Sequence, residues 1–527
     1  MKRWSILLGL TLIALLPFAF LRQLTPAHAA PMALRYVAPG GDCGGMLPCY
    51  ARVQTAVSEA DPGDEIRIAQ GIYTGTHTIT RFNGQVVMTQ VVFISESVHL
   101  RGGYAITDWQ SSDPIARPTI LDAEGNGRVV SISGGEAVTL TGLSLTGGYA
   151  PDGAGLYVEN VFEQDVTLTV QDSAIYSNTA QYHGGGIFVS QSGIYVSDSV
   201  IANNRTEADF GGGGGMALVI DQDSVYDIRR NRIANNYTPG TGGGIEFIGG
   251  LSAQMVVAGN EIMSNTAIFG GGLFAYTVQY LHIHNNDIYG NHSQQGGGIG
   301  FLSSFDISVE NNRIHDNVVT AGDGSSAFIN GQGGGIAVDY VAPLTMTNNV
   351  IMDNQAISGD GISINTDSDV RMFHNTLARN HDSAIQIIGA QHAGQHCYTF
   401  TFICTHVAMS NTLIVSHAVG ISVTGLAVSV EADGILWHQT PMTTAVFTTT
   451  NTPISITHIS VGDPLLAADG YHLLAGSAAV DQGVVTAVTH DIDNESRPQG
   501  LAPDLGADEL LPLPPPDYKI YLPFLRK

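Results

Sequence analysis

Lysine is nearly missing from this chain. It occurs only at Lys2, Lys519 and Lys527, so the long stretch between them carries its positive charge on arginine and histidine. Charged residues of all kinds make up 13% of the 527 residues, and the balance is acidic, with a formal charge of −26. A chain this acidic repels phosphate backbones, which excludes nucleic acid as a partner. Helical periodicity is also missing from the middle of the chain, which excludes the amphipathic helix pairs of helical repeats. Disorder is excluded by an ordinary apolar content of 44%.

Long apolar runs occur only at the start. "MKR" is followed by "WSILLGLTLIALLPFAFL" and then by the small-residue site Ala27–Ala29. That order reads as a secretory signal over residues 1–29, with an uncleaved membrane anchor as the alternative. The four cysteines form two close pairs, Cys43 with Cys49 and Cys397 with Cys404. In an exported chain these read as two short-range disulfides. The rival for the second pair is a metal site with His392, His396 and His406.

What the chain has in abundance is glycine, with 63 residues, and much of it recurs as a triplet followed by an apolar residue, as in "HGGGIFV" at 183–189. The motif starts at Gly153, Gly184, Gly213, Gly242, Gly270, Gly296, Gly333 and Gly359, with gaps of 26 to 31 residues and one of 37. A second motif keeps step and ends at Asn178, Asn204, Asn236, Asn265, Asn291, Asn317, Asn354 and Asn380. A further asparagine precedes it at Asn231, Asn260, Asn286, Asn312, Asn349 and Asn375. Between motifs the chain alternates apolar and polar residues over short spans, as strands do. A repeat of this length built from short strands and sharp corners predicts an all-β right-handed parallel β-helix, a solenoid of at least eight coils. Glycine then suits a corner where a Cβ would strike the next coil, and asparagine suits a left-handed corner with an amide ladder between coils.

Residues 1–29 are thus the signal peptide, 34–140 an N-terminal cap and first coils, and 141–430 the repeats. Residues 431–510 hold the last coils and a C-terminal motif, and 511–527 a proline-rich linker and tail. Val53, Ala56, Val57 and Ala60 share one helical face, which predicts a capping helix over an otherwise exposed apolar end.

The alternation of "GGG[IL]" with "I-x-x-N" resembles the repeats of polymorphic outer-membrane adhesins and of bacterial right-handed β-helix proteins. "GSAAVDQG" and "DIDNESRPQGLAPDLGADE" resemble the choice-of-anchor Q domain, departing from its pattern at Ala478 and Asn494. The resemblance implies display at or beyond the cell surface, with an extracellular polysaccharide or a cell-envelope component as partner. The fold it implies is also that of pectate lyases and polygalacturonases. The polygalacturonase motifs Gly-His-Gly and Arg-x-Lys are missing, and "NTD" at Asn365–Asp367 reads as chance.

Three groups of residues are candidates for chemistry. The residue before the corner asparagine runs Ser177, Asn203, Asn235, Ser264, Gly290, Asp316, Asp353, Arg379, which puts Asp316 and Asp353 on neighbouring coils about 5 Å apart. Two such carboxylates with Arg379 suit glycoside hydrolysis or a cation, and the alternative is a solvated turn with an Asp–Arg pair. An outward column of Tyr157, Phe188 and Phe274, with Glu246 between, suits stacking on sugar rings. Asp491, Asp493, Asp504 and Glu509 suit Ca²⁺, the alternative being a turn bridged by Arg497. The expectation is a monomeric, exported binding or structural scaffold without catalysis, with a polysaccharide lyase or glycoside hydrolase as the alternative.

Overall fold

The repeating glycines and asparagines meet again in each coil, where the third glycine lies against a ladder asparagine. In the computed structural model, residues 32–511 are described except 82–85, 135–136, 160–166, 223, 322–330, 390–404 and 448–452. The expected signal peptide, the Cys397–Cys404 pair and nearly all of the tail therefore lie outside the described residues, as does most of 318–332, the stretch that makes the 37-residue gap.

Each coil has three faces. One coil runs through Ile187–Ser190, Gly193–Ser197 and Val200–Ala202, and the next through Met216–Val219, Val225–Arg229 and Arg232–Ala234. Corresponding strands pair in parallel from coil to coil, so the first face is a 14-stranded sheet and the other two belong to a 27-stranded one. Among the described strand pairs, His77–Arg81 with Val86–Ile94 is the antiparallel exception. The stack begins with Leu34–Val37 on Glu65–Ala69 and ends with Val428–His438 on Ile454–Val461. Its interior is filled by in-register apolar columns. On the first face Leu156, Ile187, Met216, Ile245, Leu273, Ile299, Ile336 and Ile362 lie one above another, all fully buried.

The asparagines tie coil to coil. The backbone N–H of Asn265 donates to Asn291 Oδ1 at 2.9 Å, and its Nδ2 donates to the same oxygen at 3.0 Å. That Nδ2 also donates back to the Ile233 carbonyl at 2.9 Å. The same pattern repeats from Asn178 to Asn380, and a second ladder runs from Asn231 to Asn375. Every ladder asparagine is buried and fully bonded.

The left-handed residue is the one before each ladder asparagine, not the asparagine itself, which corrects the expectation for that corner. Ser177, Asn203, Asn235, Ser264, Gly290, Asp316, Asp353 and Arg379 have φ between 53° and 60°. In the triplets only the first glycine is left-handed, as at Gly270 with φ 62°. The third is needed for space, because a Cβ on Gly272 would sit 2.6 Å from the Gly298 carbonyl oxygen.

The first coils carry a short α-helix, Val53–Ser58, whose Val53, Ala56 and Val57 are buried in the main core. The Gln54 side chain accepts from the Phe93 amide at 2.6 Å, which ties the helix to the coil beside it. Cys43 and Cys49 form a disulfide beside the buried Trp109, whose indole N–H donates to the Cys43 carbonyl. No helix among the described residues is long and apolar enough to cross a membrane.

At the far end, residues 463–511 fold back over the third face. Tyr471, Leu473, Ala479, Leu505 and Ala507 pack on Val350, Met352, Ala378, Leu413, Val415 and Leu436. The first asparagine ladder ends just beneath, where Asn380 donates its backbone N–H and its Nδ2 to His417 Nε2, at 3.2 and 3.1 Å. Burial holds the His417 pKa down to about 4, so the imidazole is a neutral acceptor. Above 6.5 both folded and unfolded forms are neutral. Between 6.5 and about 4 the unfolded chain takes a proton that the folded one refuses, so His417 lowers stability as pH falls through that window. His417→Asn supplies an amide acceptor in its place, and we expect its thermal unfolding to lose less stability than wild type between pH 6.5 and 4. Parallel pH curves for the two proteins would contradict this account of the ladder's end.

Candidate functional site

Asp316, Asp353 and Arg379 stand on successive coils at the same left-handed corner, and their charges are already engaged. Arg379 grips Asp353 with two hydrogen bonds, Nε to Oδ1 at 3.0 Å and Nη2 to Oδ2 at 2.7 Å. Asp316 turns instead to His315 Nδ1 at 2.7 Å, and the other ring nitrogen of His315 meets Asp287 at 2.9 Å. Burial works against the His315 imidazolium, but the two carboxylates outweigh it and raise its pKa. The structure thus makes this corner an Asp–Arg pair beside an Asp–His–Asp chain, not two free carboxylates facing a substrate.

The outward column of the first face is in register as expected, from Tyr157 through Phe188, Ala217 and Glu246 to Phe274. Tyr157 and Phe188 stack with centroids 5.5 Å apart, and the Arg128 guanidinium covers Tyr157 at 4.3 Å. Both faces of Tyr157 are therefore occupied. Phe274 is 6% exposed and Glu246 4%, so neither is an open platform. Both lie against glycines of neighbouring coils: a Cβ on Gly212 would collide with the Glu246 carboxylate, and one on Gly300 would crowd the Phe274 ring. Thr241 donates to Glu246 Oε1, while Oε2 has no hydrogen bond and faces His183 Nδ1 at 3.8 Å. The Glu246 carboxylate raises the His183 pKa against the effect of burial.

Sequence reasoning missed a third surface. At the corner that ends the first face, Tyr276, Tyr280, Phe305 and Tyr340 are 44%, 52%, 41% and 49% exposed. They come from three successive coils: Tyr276 pairs with Leu302 and Leu302 with Asp339, while the Tyr280 amide donates to the Phe305 carbonyl. Tyr280 and Tyr340 hold left-handed backbone, with φ of 64° and 56°, where a bulky residue is strained. Gln279 and Asp306 line the same corner, joined by a 2.7 Å hydrogen bond. The available signal was the aromatic ending of "FAYTVQY", "FLSSF" and "VDY", but the rings sit at unequal offsets and make no clean column.

The proposed Ca²⁺ quartet does not converge. Asp491 accepts the amides of Asp493, Glu495 and Glu509 at 3.0, 2.7 and 3.0 Å. Asp504 accepts those of Asp481 and Leu510, at 2.7 and 2.8 Å. Glu509 takes the Gln499 and Asp504 amides and the guanidinium of the buried Arg497 at 2.8 Å. Backbone N–H groups and one arginine occupy the oxygens that a calcium ion needs, and burial pushes the Asp504 pKa up to about 6. Asp493 lies apart, bonded to His472.

A family model described as a right handed beta helix region matches residues 206–333 and again 270–425. No curated protein matches the chain. Among solved structures, the pectate lyase Pel9A is 14% identical over 91% of this chain and 97% of its own, with a TM-score of 0.38. The periplasmic alginate epimerase AlgG is 11% identical over 71% of this chain and 85% of its own, with a TM-score of 0.35. A point mutant of AlgG is 11% identical over 78% and 83%, at 0.38.

Two ion pairs make a direct comparison of surface and interior. Asp353→Asn breaks a half-exposed pair, and we expect a change in stability below about 1 kcal/mol. Arg497→Met leaves Glu509 charged and unpaired at 1% exposure, and we expect a loss of about 3–5 kcal/mol with early proteolysis of residues 463–511. Urea unfolding and limited proteolysis measure both; equal effects would mean that the C-terminal segment does not depend on Arg497.

Proposed function

We propose that the protein is an exported β-helix scaffold that binds an extended neutral glycan and does not cleave it. The observation that carries this reading is the set of exposed rings Tyr276, Tyr280, Phe305 and Tyr340 on three successive coils. Coils repeat every ~4.8 Å along the axis, close to the length of one sugar unit in an extended chain, so successive rings meet successive sugars. Tyrosine adds a hydroxyl to an apolar face, and Gln279 and Asp306 supply polar groups for sugar hydroxyls. A net charge of −26 disfavours polyuronates and leaves neutral chains as the better class.

The ends of the chain fit the same reading. The Val53–Ser58 helix caps the first coils and shields their apolar end. The disulfide at Cys43 and Cys49 favours an oxidising compartment, in keeping with a signal peptide at 1–29 and a site beyond the cytoplasm. Residues 463–511, with their buried Arg497 and Glu509, serve as a choice-of-anchor Q-like module that closes the last coils and leads into a surface-attachment tail. The adhesin-like repeats form the display body of a monomer, facing an extracellular polysaccharide or another envelope component.

Cleavage is the second reading, and one observation favours it: the buried Glu246 Oε2 lacks a hydrogen bond and faces His183 between aromatic neighbours. A glycan array followed by calorimetry on its best neutral hit separates the two. We expect binding without product formation, and at least about a tenfold loss of affinity when Tyr280→Ala and Tyr340→Ala are combined. Undiminished binding in that double variant, with loss in Phe188→Ala, moves the site to the first-face column. Product formation that vanishes in Glu246→Gln replaces the binding reading with an enzymatic one.

A further inference from the structure

We propose that His472, Asp493 and Asp508 form a divalent-metal site that fastens the C-terminal segment, with Zn²⁺ as the ion its donors suit. Each residue offers one ligand atom, and these atoms all lie within 4.8 Å of one another. His472 Nε2 already meets Asp493 Oδ2 at 2.9 Å, so a metal takes the position of the proton they share. On its other side His472 Nδ1 meets Asp469 Oδ2 at 2.6 Å. That is the outer carboxylate by which proteins orient a metal-bound imidazole. Asp469 Oδ1 also accepts the amides of Tyr471 and His472, each at 3.3 Å, which holds the turn that aims the ring.

Asp508 supplies a second, independent observation. The residue is buried, at 5% exposure, and Oδ2 accepts the Leu473 amide at 2.6 Å. The buried Arg497 is directed at Glu509 and at main-chain carbonyls.

Donor chemistry selects the ion. One imidazole and two carboxylates match Zn²⁺, leaving a fourth position for water, whereas Ca²⁺ calls for six to eight oxygens. The three ligands come from separate turns, and two are anchored from beside: Tyr471 and Leu473 flank His472, and Ala507 precedes Asp508, all packed on the outer face of the coils. A bound ion therefore crosslinks the stretch around 472 to the turns at 493 and 508.

The test uses the full chain, stripped with a chelator and dialysed, titrated with Zn²⁺ alone by calorimetry and followed by thermal unfolding. We expect one equivalent to bind and to raise the melting temperature, with both effects absent in Asp508→Asn and His472→Gln. Asp469→Asn, which touches no proposed ligand atom of the metal, weakens binding by about tenfold or more. Asp493→Asn removes a half-exposed ligand, and serves if the buried substitutions unfold the segment. Failure to bind Zn²⁺, or binding with unchanged affinity and stoichiometry in Asp493→Asn, overturns the proposal.

Discussion

Two lines of amide hydrogen bonds run along the stack, and almost every other feature of the repeats is arranged around them. A ladder asparagine donates its backbone N–H and its Nδ2 to one oxygen of the next coil, donates the Nδ2 back to a carbonyl of the preceding coil, and accepts on its own oxygen from the preceding asparagine. For this the amide must lie inside the corner, and a glycine must stand beside it, since a Cβ on Gly272 would be 3.1 Å from Asn291 Nδ2. The chain must also reverse just before the asparagine, which places the preceding residue in left-handed backbone. A third glycine, a left-handed corner and a buried amide are three aspects of one packing constraint.

Much of this architecture could be read from the amino acids because the constraint returns at a regular interval and leaves the same residue types each time. Which of two adjacent corner residues carries the positive φ was not legible. Asparagine is common in left-handed backbone, yet here the buried amide excludes its own residue from that role and passes it to neighbours as different as Ser264 and Arg379. The column reading placed Asp353 and Arg379 on adjacent coils, but not that the guanidinium would take both carboxylate oxygens. The acidic C-terminal motif resembled a ligand set because sequence does not reveal which main-chain amides fold inward, and those amides fill the coordination of Asp491, Asp504 and Glu509. The exposed tyrosines escaped notice because they follow the strand at different distances on each coil.

Arginine and histidine share the ionic structure in a body without lysine between residues 3 and 518, and the permanent charge is arginine's. Its planar fork grips a carboxylate at two points, as Arg230 does with Asp198 at 2.8 Å twice, and as Arg379 does with Asp353. These surface pairs join neighbouring coils and orient corners, while adding little to stability. Arg497 is the buried counterpart, and it joins the Glu509 carboxylate to the Asp504 and Gly506 carbonyls in the clasp that covers the last coils.

The ladder also has a direction. Every asparagine points its donors partly toward the following coil and offers its oxygen to the preceding one, so any coil presents the same unfinished edge as the coil before it. His417 closes that edge at one end with a lone ring nitrogen. Length is therefore a quantised trait. A duplication or loss that runs from one asparagine to its equivalent leaves the joint chemically unchanged, whereas a shift of a few residues breaks it. Lineages carrying such a chain can lengthen or shorten the stack in whole-coil steps, without redesigning either of its ends.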